Sequence, residues 1–231
     1  MITLYITSTQ LKLLTANELT SLGRQGELRF PQQYCNFMQT YGVGTYGGAI
    51  YINAPDFDIL KDFSECDFWQ HENAPIMQEQ IKDCVVIGNS IDGDFIAIHS
   101  NINGYILLPR QSDIITFIPY SDEEFVESVN KIGFCLYNEK LEGYFEPVGC
   151  NHVFLRSVNK GLYDIADRFK SLFQNDYLIE NDYICEVFFL RLGGYVRFNL
   201  AYGFEVAIFY SHYGLDFFQE IKKFMNENGC Q

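Results

Sequence analysis

Short apolar runs separated by tight turn signals occupy two stretches of this chain and constrain its fold more than any other feature. In residues 84–118, the tetrapeptides IDGD (91–94) and NING (101–104) separate runs of β-forming side chains. Asp, Asn and Gly tolerate the positive φ of hairpin turns, so both tetrapeptides predict turns between strands. In residues 183–210, Gly193-Gly194 predicts a two-residue hairpin turn. The predicted strands cover 49–52, 84–87, 95–99, 105–108, 114–118, 152–157, 183–192, 195–200 and 205–210.

Helical patterns flank both sets of strands. Thr15 or Asn17 is the predicted N-cap of a helix that ends near Gly23, and Ser121 has capping-box spacing to Glu124 before another helix. Apolar periodicity predicts two further helices at 162–173 and 215–226, and one or two short helices within 56–83. The chain is therefore predicted to be α+β. We expect a mixed or antiparallel sheet with flanking helices, followed by a smaller α+β C-terminal part.

One further helix has a more distinctive sequence, FPQQYCNFMQTYG (30–42). Pro31 suits a first helical turn, because the N–H that proline lacks is unpaired there in any helix. Four side chains share one face at helical spacing: Tyr34, Phe37, Met38 and Tyr41. The glycine-rich residues 42–48 then predict the end of the helix and the entry into a strand.

These features occur in an order that resembles the SUKH superfamily, also called the Smi/Knr family, over roughly residues 1–135. The matching segments are the short N-terminal helix, the proline-started helix, its glycine-rich exit, the hairpin VVIGNSIDGDFIAI (85–98) and the helix SDEEFVESV (121–129). Many members of this family are bacterial immunity proteins that bind and neutralise a secreted toxin, whereas fungal members are signalling scaffolds. The resemblance thus implies a non-catalytic protein-binding module. An immunity protein is the first hypothesis and a Smi/Knr-type scaffold is the alternative.

The charge of the chain is strongly acidic and uneven. The formal net charge is −14, and residues 1–150 hold 20 acidic and 8 basic side chains, whereas residues 151–231 hold 10 and 8. All six prolines also precede residue 150. These shifts predict two domains, 1–147 and 148–231. Such a charge opposes binding to nucleic-acid phosphates or anionic membranes, and it favours either a basic protein partner or simple solubility.

The sequence also bears on the cellular location. The N-terminus lacks the basic region and apolar core of a signal peptide, and no apolar run reaches the length of a membrane span. Seven cysteines, an odd number without a CxxC pair, indicate reduced thiols. We therefore expect a cytoplasmic protein.

No residue pattern predicts a catalytic site, a metal or a cofactor. Asp92 and Asp94 lack the further ligands of a calcium loop, so a hairpin turn in which Asp94 bonds nearby backbone is preferred. Cys150 and His152 share a strand face, but nucleophile–base pairs generally come from distant segments. We expect a protein that is not an enzyme, while an enzyme with an unrecognised site remains the other alternative.

The acidic stretch 56–72, which contains four aromatic side chains, is the predicted partner-binding site, with the turn 91–94 at its edge. Carboxylates beside aromatic anchors suit a basic protein partner such as a toxin domain. The same pattern also fits an amphipathic helix with one core face and one solvated face. The predicted site residues are Asp56, Asp58, Asp62, Glu65, Asp67, Trp69, Asp92 and Asp94.

Overall fold

The computed structural model describes residues 4–158 and 161–231, and it has the predicted α+β class. The α-helices are α1 (Ala16–Gln25), α2 (Gln32–Thr40), α3 (Ile59–Phe63), α4 (Phe125–Tyr137), α5 (Leu162–Leu172) and α6 (Leu215–Glu227). The strands are β1 (Tyr5–Ile6), β2 (Gly44–Tyr46), β3 (Ile50–Asp56), β4 (Val85–Ser90), β5 (Phe95–Ile98), β6 (Gly104–Leu108), β7 (Thr116–Pro119), β8 (Tyr144–Pro147), β9 (Asn151–Arg156), β10 (Tyr177–Glu180), β11 (Ile184–Phe189), β12 (Gly194–Asn199) and β13 (Glu205–Tyr210). Two short 3-10 helices cover Gln78–Asp83 and His212–Gly214.

The described chain divides into two compact units. The first comprises Leu11–Phe145 together with Leu4, and the second comprises Tyr5–Gln10 and Glu146–Gln231. This division differs from the predicted domains 1–147 and 148–231 in a few residues at the boundary and in the N-terminal segment of the second unit.

The sheet of the first unit carries a core on each face. Strands β2 to β7 are neighbours in chain order, and every pair is antiparallel. Val85, Ile87 and Tyr105 belong to a cluster that also contains the apolar faces of α1, α2 and α4. The alternating residues Val86 and Ile106 belong to a second cluster, formed with residues 60–81. Because both faces are covered, β4 to β6 read as nearly continuous apolar runs.

The helix predictions for the first unit are confirmed at α1 and α2. Thr15 is the N-cap of α1, and it forms the reciprocal capping box with Glu18. Pro31 is the N-cap of α2, one residue earlier than predicted, and Tyr34 on its buried face donates a 2.7 Å hydrogen bond to the carbonyl of Asn53. This hydrogen bond fixes α2 against β3.

Two predicted details are wrong. Ser121 does not cap α4, because this helix begins at Phe125 with Glu124 as N-cap, and the Ser121 hydroxyl donates to the Glu123 carboxylate instead. The β11–β12 hairpin has no two-residue turn at Gly193-Gly194. Phe189 pairs with Gly194, so four residues form the connection.

The second unit is a five-stranded antiparallel sheet with two helices. Its strand order is β10-β11-β12-β13-β9. One sheet face packs on α5 and α6 through a core that includes Val187, Phe198, Phe169 and Ile221. The sequence pattern did not predict strand β10.

Candidate partner-binding cleft

A cleft of about 400 Å³ lies on the surface of the first unit, between the segment that follows α3 and the β4–β5 turn. It brings together the two predicted parts of the partner site, the acidic stretch 56–72 and the turn 91–94. Residues from the end of β6 complete it. The lining residues are Phe63, Phe68, Trp69, Gly93, Phe95, Leu108, Pro109, Arg110 and Ser112.

Four of the nine residues that line the cleft are aromatic. The Phe63 ring centroid lies 5.3 Å from that of Phe95 in an edge-to-face arrangement and 5.8 Å from that of Phe68. Phe68 is 54% exposed, so its ring is accessible to a partner at the edge of the cleft. An exposed aromatic next to a preformed apolar depression is typical of an interface anchor.

Trp69 does not fit the predicted role of an exposed anchor. Its side chain is only 5% exposed, it belongs to the core cluster with Leu60 and Ile76, and its indole N–H donates a 2.8 Å hydrogen bond to the carbonyl of Pro109. The sequence prediction for this residue is corrected accordingly: Trp69 forms the wall of the cleft, and its neighbour Phe68 is the accessible ring.

Asp94 holds the hairpin turn 91–94 by hydrogen bonds, but its carboxylate binds the Ser90 side chain and the distant Arg110 backbone instead of the nearby backbone that the sequence predicted. The buried carboxylate of Asp94 accepts from the Ser90 hydroxyl and from the backbone N–H of Arg110 at 2.9 Å. Gly93 has φ +92°, a conformation that favours glycine. Asp94 therefore fixes the turn against the end of β6 and is not itself available to a partner.

Exposed carboxylates adjoin the lining residues of the cleft in the chain. Asp62, Asp67 and Asp92 are the chain neighbours of the lining residues Phe63, Phe68 and Gly93. These three side chains and Glu65 are exposed, and none forms an ion pair within the described parts of the chain. Exposed carboxylates without a neutralising ion pair contribute to the long-range attraction of a cation.

Asp56 and Asp58 have local structural partners. Asp56 accepts the backbone N–H groups of Asp58 and Ile59 at 2.9 and 3.0 Å, which holds the start of α3. Asp58 forms an exposed ion pair with Lys61 at 2.6 Å. Their negative charge adds to the field of the surface, but their geometry is explained by α3 alone.

One cation, Arg110, lies within the cleft. A Cβ atom placed on Gly93 would be 3.0 Å from Cδ and 3.1 Å from Nη1 of Arg110, so this side chain lies across the turn. The cleft therefore disfavours a basic group inside it. An apolar side chain fits the aromatic lining, and basic groups fit the exposed carboxylates that adjoin it in the chain.

A more polar cleft of about 400 Å³ contains the potentially reactive pair Cys84 and His99. Burial, with a contribution from Asp83, raises the pKa of the Cys84 thiol to about 12, and this thiol donates to the carbonyl of Gln80. Burial lowers the pKa of His99, whose Nδ1 accepts the N–H of Asn101 at 3.2 Å. A thiol held in its protonated form is a poor nucleophile.

The side chains of Cys150 and His152 also contact different groups. The Cys150 thiol lies 3.7 Å from the carbonyl oxygens of Pro147 and Gly193, and burial raises its pKa to about 11. The His152 ring packs against Phe154 and Phe209. No group of three His, Cys, Asp or Glu side chains in residues 4–158 and 161–231 has a geometry that could hold a metal ion.

Sequence reasoning missed the lining residues Phe95, Leu108, Pro109, Arg110 and Ser112, and it did not identify Phe68 as the accessible ring. Phe95 could have been found from the alternation of side chains along β5, because Phe95 and its neighbour Ile96 pack against different core clusters on opposite faces of the sheet. Arg110 lies 38 residues beyond the end of the acidic stretch in the chain, and the pairing of β5 with β6 brings it to the turn.

No family model, no curated protein and no solved structure matches this chain. The resemblance to the SUKH superfamily therefore stays a prediction from the motifs. Among the helices in the described parts of the chain, none is both long and apolar enough to cross a membrane.

Proposed function

We propose that this chain is a non-catalytic protein-binding module that docks a basic partner protein on the cleft beside Phe68. The observation that supports this proposal most strongly is the composition of the cleft itself: the exposed Phe68 and three further aromatic rings from segments 63–69 and 93–95 meet at one place, and exposed carboxylates adjoin them in the chain. An apolar anchor surrounded by charged groups is the usual composition of a protein-binding hot spot and its rim.

The charge of the chain supports a basic partner. Twenty acidic and eight basic side chains in residues 1–150 create an extended negative potential around the first unit. Such a field accelerates the encounter with a positively charged surface, and its range shrinks from about 10 Å at 0.1 M salt to about 3 Å at 1 M. The association rate should therefore fall steeply with salt, whereas dissociation, which depends on the buried anchor, should change less.

The resemblance to immunity proteins suggests what the partner is. We propose a cognate bacterial toxin domain, neutralised in the cytoplasm of the cell that produces it. A toxin that acts on nucleic acid needs a basic surface to bind phosphates, and an acidic module that covers this surface blocks it by direct competition.

The proposal is tested with a toxin domain sought among the products of the genes that neighbour the gene for this chain. The toxin domain is expressed in bacteria with and without the full chain, growth is recorded, and binding of the purified proteins is measured at several salt concentrations. We expect rescue of growth and a stoichiometric complex whose association rate falls with salt. Rescue without binding would instead indicate an enzyme that modifies the toxin or its target. Neither rescue nor binding would refute the immunity role.

Variants of the adjoining carboxylates separate specific docking from bulk charge. Asp62→Lys combined with Asp67→Lys changes the charge beside the cleft by four units. Asp164→Lys combined with Asp182→Lys makes the same change in the second unit, on residues outside the cleft. We expect the first pair to weaken binding more than the second, and equal effects would mean that only the net charge acts.

A further inference from the structure

Strand β9 is an edge of the second sheet that carries exposed apolar and aromatic side chains. It is the last strand in the order β10-β11-β12-β13-β9. Phe154, which lies on this strand, is 55% exposed. Residues 151–156, NHVFLR, include no carboxylate and no proline. Protein sheets generally protect an exposed edge with charges, prolines or very short strands, because an unpaired edge is a template for another strand.

The opposite edge of the same sheet shows such protection. Strand β10 has only four residues, and its Glu180 forms an ion pair with Lys170 of α5. The two edges therefore differ: the short β10 carries a carboxylate that opposes pairing with a further strand, whereas the six-residue β9 carries none.

The backbone of β9 offers hydrogen-bonding groups on its outer side. Arg156 exchanges two hydrogen bonds with Gln231, at 2.7 and 3.0 Å, on the side away from β13. Backbone direction alternates along a strand, so the N–H and C=O groups of His152 and Phe154 also point outward. Neither residue has a hydrogen-bond partner for these groups in the described parts of the chain. The pairing of Arg156 with Gln231 limits a new strand to the other end of β9.

An aromatic row leads across the sheet to this edge. Phe188, Tyr195, Phe209 and His152 stand directly opposite one another on successive strands, with ring centroids 4.8, 4.5 and 6.0 Å apart. The His152 ring is in turn 5.3 Å from that of Phe154. Cross-strand aromatic pairs stabilise neighbouring strands, so a further strand with an aromatic residue opposite His152 would extend the row.

We propose that β9 pairs with β9 of a second copy of this chain, antiparallel and about a twofold axis at Val153. In this register His152 of each copy faces Phe154 of the other, which satisfies the outward backbone groups with four hydrogen bonds and continues the aromatic row. A register shifted towards the C-terminal end would need the outward backbone groups of Arg156, which Gln231 already occupies. Charge permits self-association at this place, because residues 151–231 hold 10 acidic and 8 basic side chains while most of the net charge of −14 lies elsewhere.

The association is measured on the full chain by sedimentation equilibrium from low micromolar to several hundred micromolar concentration. We expect the mass to rise from 26.8 kDa towards twice that value. Phe154→Lys should weaken the dimer by at least about tenfold, because it places a charge at the paired edge. Tyr202→Lys is the matched control, an aromatic that is 70% exposed in the same unit but outside β9. A mass of one chain at every concentration, or equal effects of both variants, would overturn the proposal.

Cross-linking tests the register. In a background with the exposed Cys66 and Cys135 changed to Ser, Val153→Cys places two thiols at the twofold axis, in a non-hydrogen-bonded pair with Cα atoms about 4.5 Å apart. Asn151→Cys places them about 14 Å apart along the strands. We expect rapid disulfide formation with Val153→Cys only. A dimer that forms no disulfide at this position, or forms it equally at both, would refute the register. If instead a foreign peptide pairs with this edge, the chain will sediment as a monomer.

Discussion

Removal of the Tyr34 ring is the most direct test of how the first unit is held together. This side chain is fully buried, its ring centroid lies 5.5 Å from that of Phe125 on α4, and its hydroxyl donates to the Asn53 carbonyl. Tyr34→Ala should therefore lower the free energy of unfolding by about 3–5 kcal/mol, the range for buried aromatic truncations. Tyr34→Phe keeps the ring and should cost about 1 kcal/mol, the net contribution of one hydrogen bond.

The single tryptophan of the chain provides the assay. Trp69 is buried in the first unit, so its fluorescence reports the unfolding of that unit separately from the second. With a slope of about 2 kcal/mol per M of urea, Tyr34→Ala should move the midpoint down by about 2 M. Tyr51→Ala, at an exposed tyrosine of the same unit, is the control and should move it little. If the two variants shifted the midpoint equally, the packing of α2 between β3 and α4 would be incorrect.

Three further predictions concern backbone strain, thiol reactivity and pH. Gly42→Ala should destabilise the first unit by roughly 2 kcal/mol or more, because φ is +76° and a Cβ would lie 2.1 Å from the Lys12 carbonyl oxygen; no change in the urea midpoint would contradict this. At pH 8 a thiol reagent should label Cys66 rapidly and Cys84 only on unfolding, since burial raises the Cys84 pKa to about 12; mass spectrometry with time reads this out. Burial raises the pKa of the Glu146 carboxyl from 4.5 to about 6, so its stabilising contribution is complete below pH 4.5 and is lost as the pH rises through 6. Glu146→Gln should therefore leave the thermal midpoint unchanged at pH 4 and raise it at pH 7. An equal shift of the midpoint at both pH values would refute the assignment.

Sequence reasoning located the elements whose signals are local. The capping box of α1 and the aromatic face of α2 each depend on residues within a few positions of one another, and the structure confirms them. It failed where long-range packing decides. Ser121 has the correct spacing for a cap, yet α4 begins later because Phe125 is drawn into the core.

The candidate site shows the same limit. An acidic stretch with aromatic residues was visible in the sequence, but which ring is accessible was not. Trp69 and Phe68 are neighbours in the chain, and the carbonyl of Pro109, which lies 40 residues away, accepts the indole N–H and fixes Trp69 inside. The composition of the stretch is identical in either arrangement, so only the tertiary contact distinguishes them.

The most direct test of the proposed docking cleft compares two phenylalanines. Phe68 in the cleft is 54% exposed and Phe134 on α4 is 57% exposed, so truncation of either to Ala removes similar accessible surface from the same unit. The Kd for the purified toxin domain is measured by titration calorimetry for both variants and the parent chain. If Phe68 is the anchor, Phe68→Ala weakens binding by about 2 kcal/mol, roughly 30-fold, and Phe134→Ala leaves the Kd unchanged. Equal Kd values for the parent chain and Phe68→Ala would contradict the account and place the partner on another surface.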